Sequence, residues 1–248
     1  MSSTPSPADD VTTDDVTTPQ GTPLTVSTPS GPHRGGVVVV QDARGLTPYL
    51  RSVCGRLAIE GWLAAAPHLY HRQGFAETDP AGGWSSAAGD MLAFTGAGIQ
   101  ADVDAALGYL AAAGVPAQNT AILGFCMGGT VALATAARVR LGAAVSFYGG
   151  AVSTSYWTGV PPLVELAPSL RGPWLGLYGE QDALITLDEI NALRAAAATA
   201  DAPTELVSYP GAGHAFHSDR PALYRREAAA DAWARALAFL DQHASTRA

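Results

Sequence analysis

Gly124-Phe125-Cys126-Met127-Gly128-Gly129 is the stretch that decides the fold of this chain. The apolar run 120–124 predicts a strand before it, and the small-residue segment 127–138 predicts a helix after it. A Gly-x-nucleophile-x-Gly pattern at such a junction is typical of a nucleophile elbow, with Cys126 where serine usually stands. The helix N-terminus would favour a thiolate, and the backbone N–H of Met127 would be an oxyanion donor. The alternative is a buried structural cysteine in a glycine-rich turn.

Strands and helices alternate on both sides of this junction. Short apolar runs predict strands at 36–41, 62–66, 120–124, 142–148, 174–178 and 205–209, and a possible edge strand at 24–28. Helical spacing of apolar residues predicts helices at 47–60, 99–113, 127–138, 187–200 and 223–243. This alternation predicts an α/β fold with a mostly parallel central sheet, flanked by helices on both faces.

The N-terminal segment differs from the rest of the chain in composition. Residues 1–22 are rich in Thr, Ser, Pro and Asp and contain no Arg. Such a segment buries too little apolar surface to offset its ordering entropy. We therefore expect residues 1–22 to be a disordered or loosely attached tail and residues 23–248 to form a single domain.

The composition excludes several classes of protein. The chain has 248 residues, 48% of them hydrophobic, and a formal net charge of −8, which argues against nucleic acid and anionic membranes as partners. All 14 basic residues are Arg, so no lysine can serve a P-loop or form a Schiff base. Two cysteines are too few for a disulfide scaffold or a cysteine-based zinc site. Without a membrane-length apolar run or a secretory signal, the sequence predicts a cytoplasmic protein.

Two later segments supply partners for a nucleophile. Asp182 follows the predicted strand 174–178, and His214 follows the predicted strand 205–209 on a loop with flanking glycines. In parallel sheets, functional groups lie past the carboxyl ends of strands. The order Cys126, Asp182, His214 is the nucleophile, acid, histidine order of the α/β-hydrolases. Each residue alone has an ordinary alternative, such as a turn cap for the aspartate or a solvated loop for the histidine.

These motifs together resemble those of the dienelactone hydrolase family, which are cysteine-dependent α/β-hydrolases. The matching stretches are Val37–Asp42, Ala66–Tyr70, Gly124–Gly129, Gly179–Asp182 and Tyr209–Phe216. The resemblance implies the α/β-hydrolase fold, with Cys126 as nucleophile, His214 as general base and Asp182 as the residue that orients it. It implies a carboxylic ester hydrolase similar to a carboxymethylenebutenolidase, which cleaves an ester or lactone through a thioester. No cofactor or metal is implied, the partner is a small-molecule substrate, and the protein is expected to be a monomer or weak homodimer.

The resemblance also implies a role for the residue at the end of the first core strand. Family members carry a carboxylate there, typically Glu, which interacts with the resting thiol; here that position is Asp42. The backbone N–H of the next residue, Ala43, would be the second oxyanion donor. The alternative for Asp42 is a helix or turn cap near Arg44.

The substrate is left open between two classes. Family members that act on dienelactone carry arginines that bind its carboxylate, but residues 73–98 contain no Arg and Ser218 occupies the second position. Arg72, Arg220 and His217 are candidate replacements. The sequence thus predicts either a dienelactone-type substrate or a less charged ester, lactone or thioester.

Five side chains near the motifs are candidate walls of the substrate pocket, with core packing as the alternative for each. They are Phe125, Tyr148, Trp157, Phe216 and His217.

Two other functions compete with the thiol hydrolase. The pairs His68-x-x-His71 and His214-x-x-His217 have the spacing of metal ligands, so a histidine-based metal hydrolase is one alternative. A non-catalytic or redox-sensing protein, with Cys126 oxidised instead of acylated, is the other.

Overall fold

One sheet of eight strands runs through the residues that this computed structural model describes, 11–79 and 83–246. The strands are β1 (Thr12–Thr17), β2 (Pro23–Thr28), β3 (Gly36–Val40), β4 (Leu63–Pro67), β5 (Thr120–Phe125), β6 (Ala143–Phe147), β7 (Trp174–Gly179) and β8 (Thr204–Tyr209). Their order is β1-β2-β4-β3-β5-β6-β7-β8. The strands from β4 to β8 are parallel, and β1 and β2 are antiparallel to their neighbours. The predicted mostly parallel α/β sheet is confirmed.

The central strands are buried along their whole length. All residues of β3, β5 and β6 are buried, and the side chains of Val37–Val40 are 0% exposed. A parallel strand covered by helices on both faces needs consecutive apolar residues instead of an alternating pattern. The run of four valines in the sequence is therefore the signature of the sheet centre.

Seven helices among the described residues cover the two faces. They are α1 (Pro48–Ile59), α2 (Gly83–Leu92), α3 (Gly96–Ala112), α4 (Met127–Arg138), α5 (Leu163–Leu166), α6 (Leu187–Ala197) and α7 (Arg226–His243). The connection from β3 to β4 crosses the sheet in the opposite direction to the connections that follow it along the chain. Because crossovers between parallel strands are right-handed, α1 lies on one face of the sheet and α3, α4 and α6 lie on the other. The Arg56 guanidinium of α1 lies 4.3 Å from the Trp233 ring centroid of α7, which places these two helices on the same face. None of the described helices is both long and apolar enough to cross a membrane.

The N-terminal segment differs from the expectation where the structure describes it. Strand β1 pairs with β2 from Thr12↔Thr28 to Thr17↔Pro23, so the 24–28 strand is interior and not at the edge. Arg51 of α1 donates two hydrogen bonds to the Asp15 carboxylate, at 2.8 and 2.9 Å. This strand ladder and bidentate ion pair attach residues 12–17, which were expected to be disordered or loosely attached. Residues 1–10 lie outside the described part of the chain.

Candidate active site

Cys126 occupies a strained turn between β5 and α4. Its backbone angles are φ 54° and ψ −119°, a region that residues with a Cβ rarely adopt, and its N–H donates to the Phe147 carbonyl at 3.0 Å. A Cβ at Gly124 would collide with the Gly128 carbonyl oxygen, and one at Gly128 would collide with the Val40 carbonyl oxygen. The flanking glycines are therefore required by close backbone approach, as the elbow motif predicts.

Asp182 and His214 meet at the carboxyl ends of β7 and β8. His214 Nδ1 lies 2.7 Å from Asp182 Oδ2. The other oxygen of Asp182 accepts hydrogen bonds from the backbone N–H groups of Leu184 and Ile185, at 2.8 and 3.2 Å, which fixes the carboxylate. His214 Nε2 is buried and has no hydrogen-bond partner among the described residues, so it is free to exchange a proton at the site.

The charges around His214 keep its ring protonated. Burial alone would lower the pKa of His214, but the electrostatic interaction with Cys126 and the hydrogen bond that His214 donates to Asp182 outweigh it and raise the pKa to about 10. A pKa of about 10 favours the protonated ring at neutral pH, and an imidazolium would stabilise a thiolate next to it.

Cys126 and His214 line the same cavity, which has a volume of about 410 Å³. One part of its wall is apolar and consists of Ala183, Leu184, Ala215 and Leu223. Three arginines and one carboxylate also line it, namely Arg44, Arg220, Arg225 and Asp42. Arg44 is bound to Asp42 and Asp219, so the cavity offers an apolar surface and the positive charge of Arg220 and Arg225 to a small molecule beside the thiol.

Two backbone N–H groups lie near the nucleophile. Met127 is the first residue of α4, directly after Cys126, and Ala43 lines the cavity in the turn after β3. Neither N–H donates to another group within the described residues, although both residues are almost fully buried. Unpaired buried donors of this kind can hold a developing negative charge.

The carboxylate of Asp42 is bound by Arg44. Asp42 Oδ1 accepts from the backbone N–H of Arg44 at 2.8 Å, and Oδ2 accepts from its Nε and Nη2 at 3.2 and 3.1 Å. This is the turn cap that the sequence offered as the alternative. Asp42 also lines the cavity that contains Cys126.

Three of the five predicted pocket residues lie beside the main cavity. Phe125, Tyr148 and His217 line a crevice of about 10 Å³ that shares Asp42 with the cavity but is too small for a substrate. The His217 ring stacks on Phe125 with centroids 5.5 Å apart. These side chains support the floor of the site from the core.

The other two predicted pocket residues do not line the cavity of Cys126. Phe216 is fully buried and packs against Tyr148 and Tyr209, with ring centroids 5.4 and 5.2 Å away. The Trp157 indole N–H donates to the Met91 carbonyl at 2.9 Å, and Trp157 borders a separate groove formed by residues 155–161. Both aromatic rings are committed to packing or to a loop contact.

Of the three candidate carboxylate-binding residues, only Arg220 lines the cavity. Arg72 binds the buried Asp102 carboxylate through two nitrogens, at 2.5 and 2.9 Å. His217 is buried in the aromatic crevice, whereas Arg220 lines the cavity. The cavity is also lined by Arg225, Leu184 and Leu223, which were not predicted because nothing in their local sequence shows that these loops converge on the cysteine.

The histidine pairs do not converge on a metal site. His68 Nε2 lies 2.9 Å from the Thr25 hydroxyl, and His71 Nε2 lies 3.1 Å from Asp102. His214 and His217 face the cavity and the aromatic crevice respectively. Within residues 11–79 and 83–246, no three His, Cys, Asp or Glu side chains are grouped as metal ligands would be.

Several known proteins are similar to this chain in sequence and in fold. The model of the "Dienelactone hydrolase family" matches residues 24–244. A protein of Salmonella typhimurium named "Putative carboxymethylenebutenolidase" is 36% identical over 212 residues, covering 84% of this chain and 77% of the relative. A protein of the same name from Methylorubrum extorquens is 35% identical over 221 residues, covering 86% and 75%. The crystal structure of a "Putative Dienelactone Hydrolase" from Klebsiella pneumoniae superposes with a TM-score of 0.85 at 36% identity, covering 94% of this chain and 99% of that one.

Proposed function

The chain belongs to the dienelactone hydrolase family, a family of ester- and lactone-cleaving hydrolases, and we propose that it acts through a thioester on Cys126. In this proposal His214 is the acid and base, and Asp182 holds its ring. The observation that carries the proposal is the 2.7 Å contact between His214 and Asp182 beside the strained Cys126, with the cysteine and the histidine lining one cavity. A nucleophile and a base at one cavity, with a carboxylate that orients the base, are the arrangement that covalent catalysis needs.

Acylation begins from the thiolate–imidazolium pair. The Cys126 thiolate attacks the carbonyl carbon of the substrate, and the carbonyl oxygen becomes an oxyanion. The N–H groups of Met127 and Ala43 stabilise that oxyanion. When the intermediate collapses, His214 Nε2 gives its proton to the leaving alkoxide, and the acyl group remains on sulfur as a thioester.

Deacylation uses the same groups in the opposite proton order. Neutral His214 takes a proton from a water molecule, which attacks the thioester carbon. Collapse of the second oxyanion breaks the carbon–sulfur bond and restores the thiolate beside the imidazolium. Asp182 keeps Nδ1 protonated throughout, so that Nε2 is the nitrogen that exchanges the proton.

Asp42 takes an indirect part in this proposal. Its carboxylate lines the cavity but is engaged by Arg44, so we assign it an electrostatic influence on the thiol and not a direct hydrogen bond. The substrate is a small molecule, and Arg220 at the cavity supports one that carries a carboxylate. The less charged esters remain the competing class, and a panel of paired neutral and carboxylate-bearing esters separates the two through kcat/KM.

Intact-protein mass spectrometry after brief exposure to p-nitrophenyl acetate tests the mechanism. We expect an acetyl adduct that maps to Cys126, is blocked by prior iodoacetamide, and disappears with time as the thioester hydrolyses. The matched control is Cys54→Ala, because Cys54 is fully buried in α1 and should leave the adduct unchanged. A protein that forms no adduct, or one that maps elsewhere, would overturn the proposal. Rapid sulfenic acid formation at Cys126 without any acylation would favour the redox-sensing alternative.

A further inference from the structure

The backbone of Ala43 is held on both sides in the turn after β3. Its carbonyl accepts a hydrogen bond from the Tyr70 hydroxyl at 2.7 Å. On either side of it, Gly45 N–H donates to the Asp42 carbonyl at 3.1 Å, and Arg44 N–H donates to the Asp42 carboxylate at 2.8 Å. Together these contacts fix the direction in which the Ala43 N–H points.

The Arg44 side chain connects this turn to the loop that carries the histidine. Its Nε and Nη2 bind the Asp42 carboxylate, and its Nη1 lies 3.3 Å from Asp219 Oδ1. Asp219 lies five residues after His214 in the loop after β8. Arg44 lines the cavity and is about one quarter exposed, with a side-chain exposure of 26%. A planar guanidinium can hold two carboxylates at fixed angles, which a lysine ammonium cannot do.

We propose that Arg44 is a positioning residue that aims the Ala43 N–H at the oxyanion and keeps it in register with His214 through Asp219. This inference rests on the proposed function, because an oxyanion forms only when Cys126 is acylated. Arg44 acts through the backbone of its neighbour and donates nothing to the substrate itself. By binding both oxygens of Asp42, it also keeps that carboxylate turned toward the guanidinium.

Two reactions of the same sulfur separate positioning from an effect on the thiol. Acylation by p-nitrophenyl acetate passes through an oxyanion, whereas alkylation by iodoacetamide displaces iodide and forms none. A residue that positions an oxyanion donor therefore changes the ratio of the acylation to the alkylation rate constant. A residue that only changes the amount or reactivity of the thiolate moves both rate constants together.

The decisive variant is Arg44→Lys, which keeps the positive charge but loses the fork of donors. We expect the ratio of acylation to alkylation to fall by about 10- to 100-fold, since removal of a whole oxyanion donor costs about 10²- to 10³-fold and misplacement costs less. Alkylation of Cys126 should stay within about threefold of wild type, because thiolate chemistry does not use the donor. KM should change less than kcat, since Arg44 holds no part of the substrate.

A second variant tests the link between the loops. Asp219→Asn removes the charge that Arg44 Nη1 contacts, and its side chain is exposed enough that the variant should fold. We expect a smaller fall in the same ratio, and a double variant no worse than Arg44→Lys, because Asp219 acts through Arg44. The matched control is Arg138→Lys, another arginine that binds a carboxylate, Asp104, through two nitrogens but lies on α4 away from the cavity. Its ratio should equal that of wild type.

Each contrary outcome has its own meaning. A ratio unchanged in both Arg44→Lys and Asp219→Asn overturns the inference, and so does an equal fall in acylation and alkylation. If wild-type protein is alkylated but never acylated, the proposed function fails, and the inference fails with it. That last outcome is recognised in the wild-type protein alone, so the two failures are distinguishable.

Discussion

His214 and His217 stand three residues apart on the loop after β8 and have opposite surroundings. His214 lies at the cavity that Cys126 also lines, and its Nδ1 is 2.7 Å from the Asp182 carboxylate. The acidic partners raise the pKa of His214 to about 10 although burial opposes this. His214 is thus held in its charged form at neutral pH.

His217 lies on the core side of the same loop. Its Nδ1 is 2.7 Å from the Tyr49 hydroxyl, and its ring stacks between Phe125 and Trp233, each with its centroid 5.5 Å away. Burial, together with the positive charge of Arg56, lowers the pKa of His217 to about 3. His217 is thus held neutral.

The difference shows that spacing alone does not define a histidine's role. Between the two residues the chain passes through Ala215, which has a φ of 57°, and Phe216, which is fully buried. The left-handed backbone at Ala215 turns the loop, so that His214 faces the cavity and His217 faces aromatic rings. The two rings therefore face different surroundings, and neither belongs to a metal-ligand group among the described residues.

Replacement of His214 should have the largest effect. In His214→Gln, the amide can still donate to Asp182, but no group at the site can exchange a proton, so we expect kcat/KM to fall by about 10³- to 10⁴-fold. Steady-state kinetics with p-nitrophenyl acetate measure this, and near-ultraviolet circular dichroism checks that the variant is folded. Activity within tenfold of wild type would show that His214 is not the base.

Replacement of His217 should act on stability instead. His217→Ala removes a ring packed between two aromatic side chains and leaves the Tyr49 hydroxyl without its partner, so we expect the free energy of unfolding to fall by about 2–4 kcal/mol. Urea unfolding measures the change. The control is His243→Ala at the end of α7, a half-buried ring that packs on Phe239, where the loss should stay below about 1 kcal/mol. Equal losses in both variants would contradict the assignment of His217 to the core.

The pH dependence of unfolding should identify the neutral histidine. The pKa of His217 is about 3 in the folded protein and 6.5 ordinarily. Below pH 6.5, His217 therefore binds a proton in the unfolded chain but not in the folded protein. Stability from this group is therefore present above pH 6.5 and is lost as pH falls toward 3, by up to about 1.4 kcal/mol per pH unit. Urea unfolding at pH 7, 6 and 5 gives the slope of the free energy of unfolding against pH for wild type and for His217→Phe. The difference between the two slopes is the contribution of His217. Parallel slopes would mean that His217 is protonated in the folded protein.

The smallest effect concerns the charged histidine. In Cys126→Ala the thiolate charge is absent, so the pKa of His214 should fall from about 10 toward its ordinary value, held up only by Asp182. NMR titration of the imidazole protons gives the pKa values of His214 and His217 in one experiment, and the pKa of His217 should not change. If the pKa of His214 is unaltered, the ion pair with Cys126 is not what raises it.

Features that depend on local sterics were predictable from the sequence. Helix α4 was predicted with the bounds it has, 127–138, because close backbone approach at Gly124 and Gly128 forces glycine at both positions. The strand ends before Cys126, Asp182 and His214 were equally visible. Buried parallel strands leave continuous apolar runs, and the residues that follow them reach the same edge of the sheet.

Features that depend on remote partners were not predictable. The Thr- and Asp-rich segment 12–17 forms a strand because Arg51 and the β2 backbone bind it, and nothing within the segment shows this. Trp157 is a residue type that often lines pockets, but its indole N–H binds the Met91 carbonyl and its side chain lies away from the cavity of Cys126. The two histidines of one short motif likewise took their roles from Asp182 and Trp233, which lie far away in the chain.

The polar strand β1 has a practical consequence for making the protein. Its side chains are mostly exposed threonines and aspartates, which give the sheet a hydrophilic border. A truncation that removes residues 1–22 would make β2 the edge strand of the sheet. Leu24 and Thr25 of β2 are fully buried in the intact chain and would then be uncovered. A newly bared apolar strand is a template for edge-to-edge aggregation. Expression vectors for this enzyme should therefore keep the chain from residue 11 onward, and any purification tag belongs before that point.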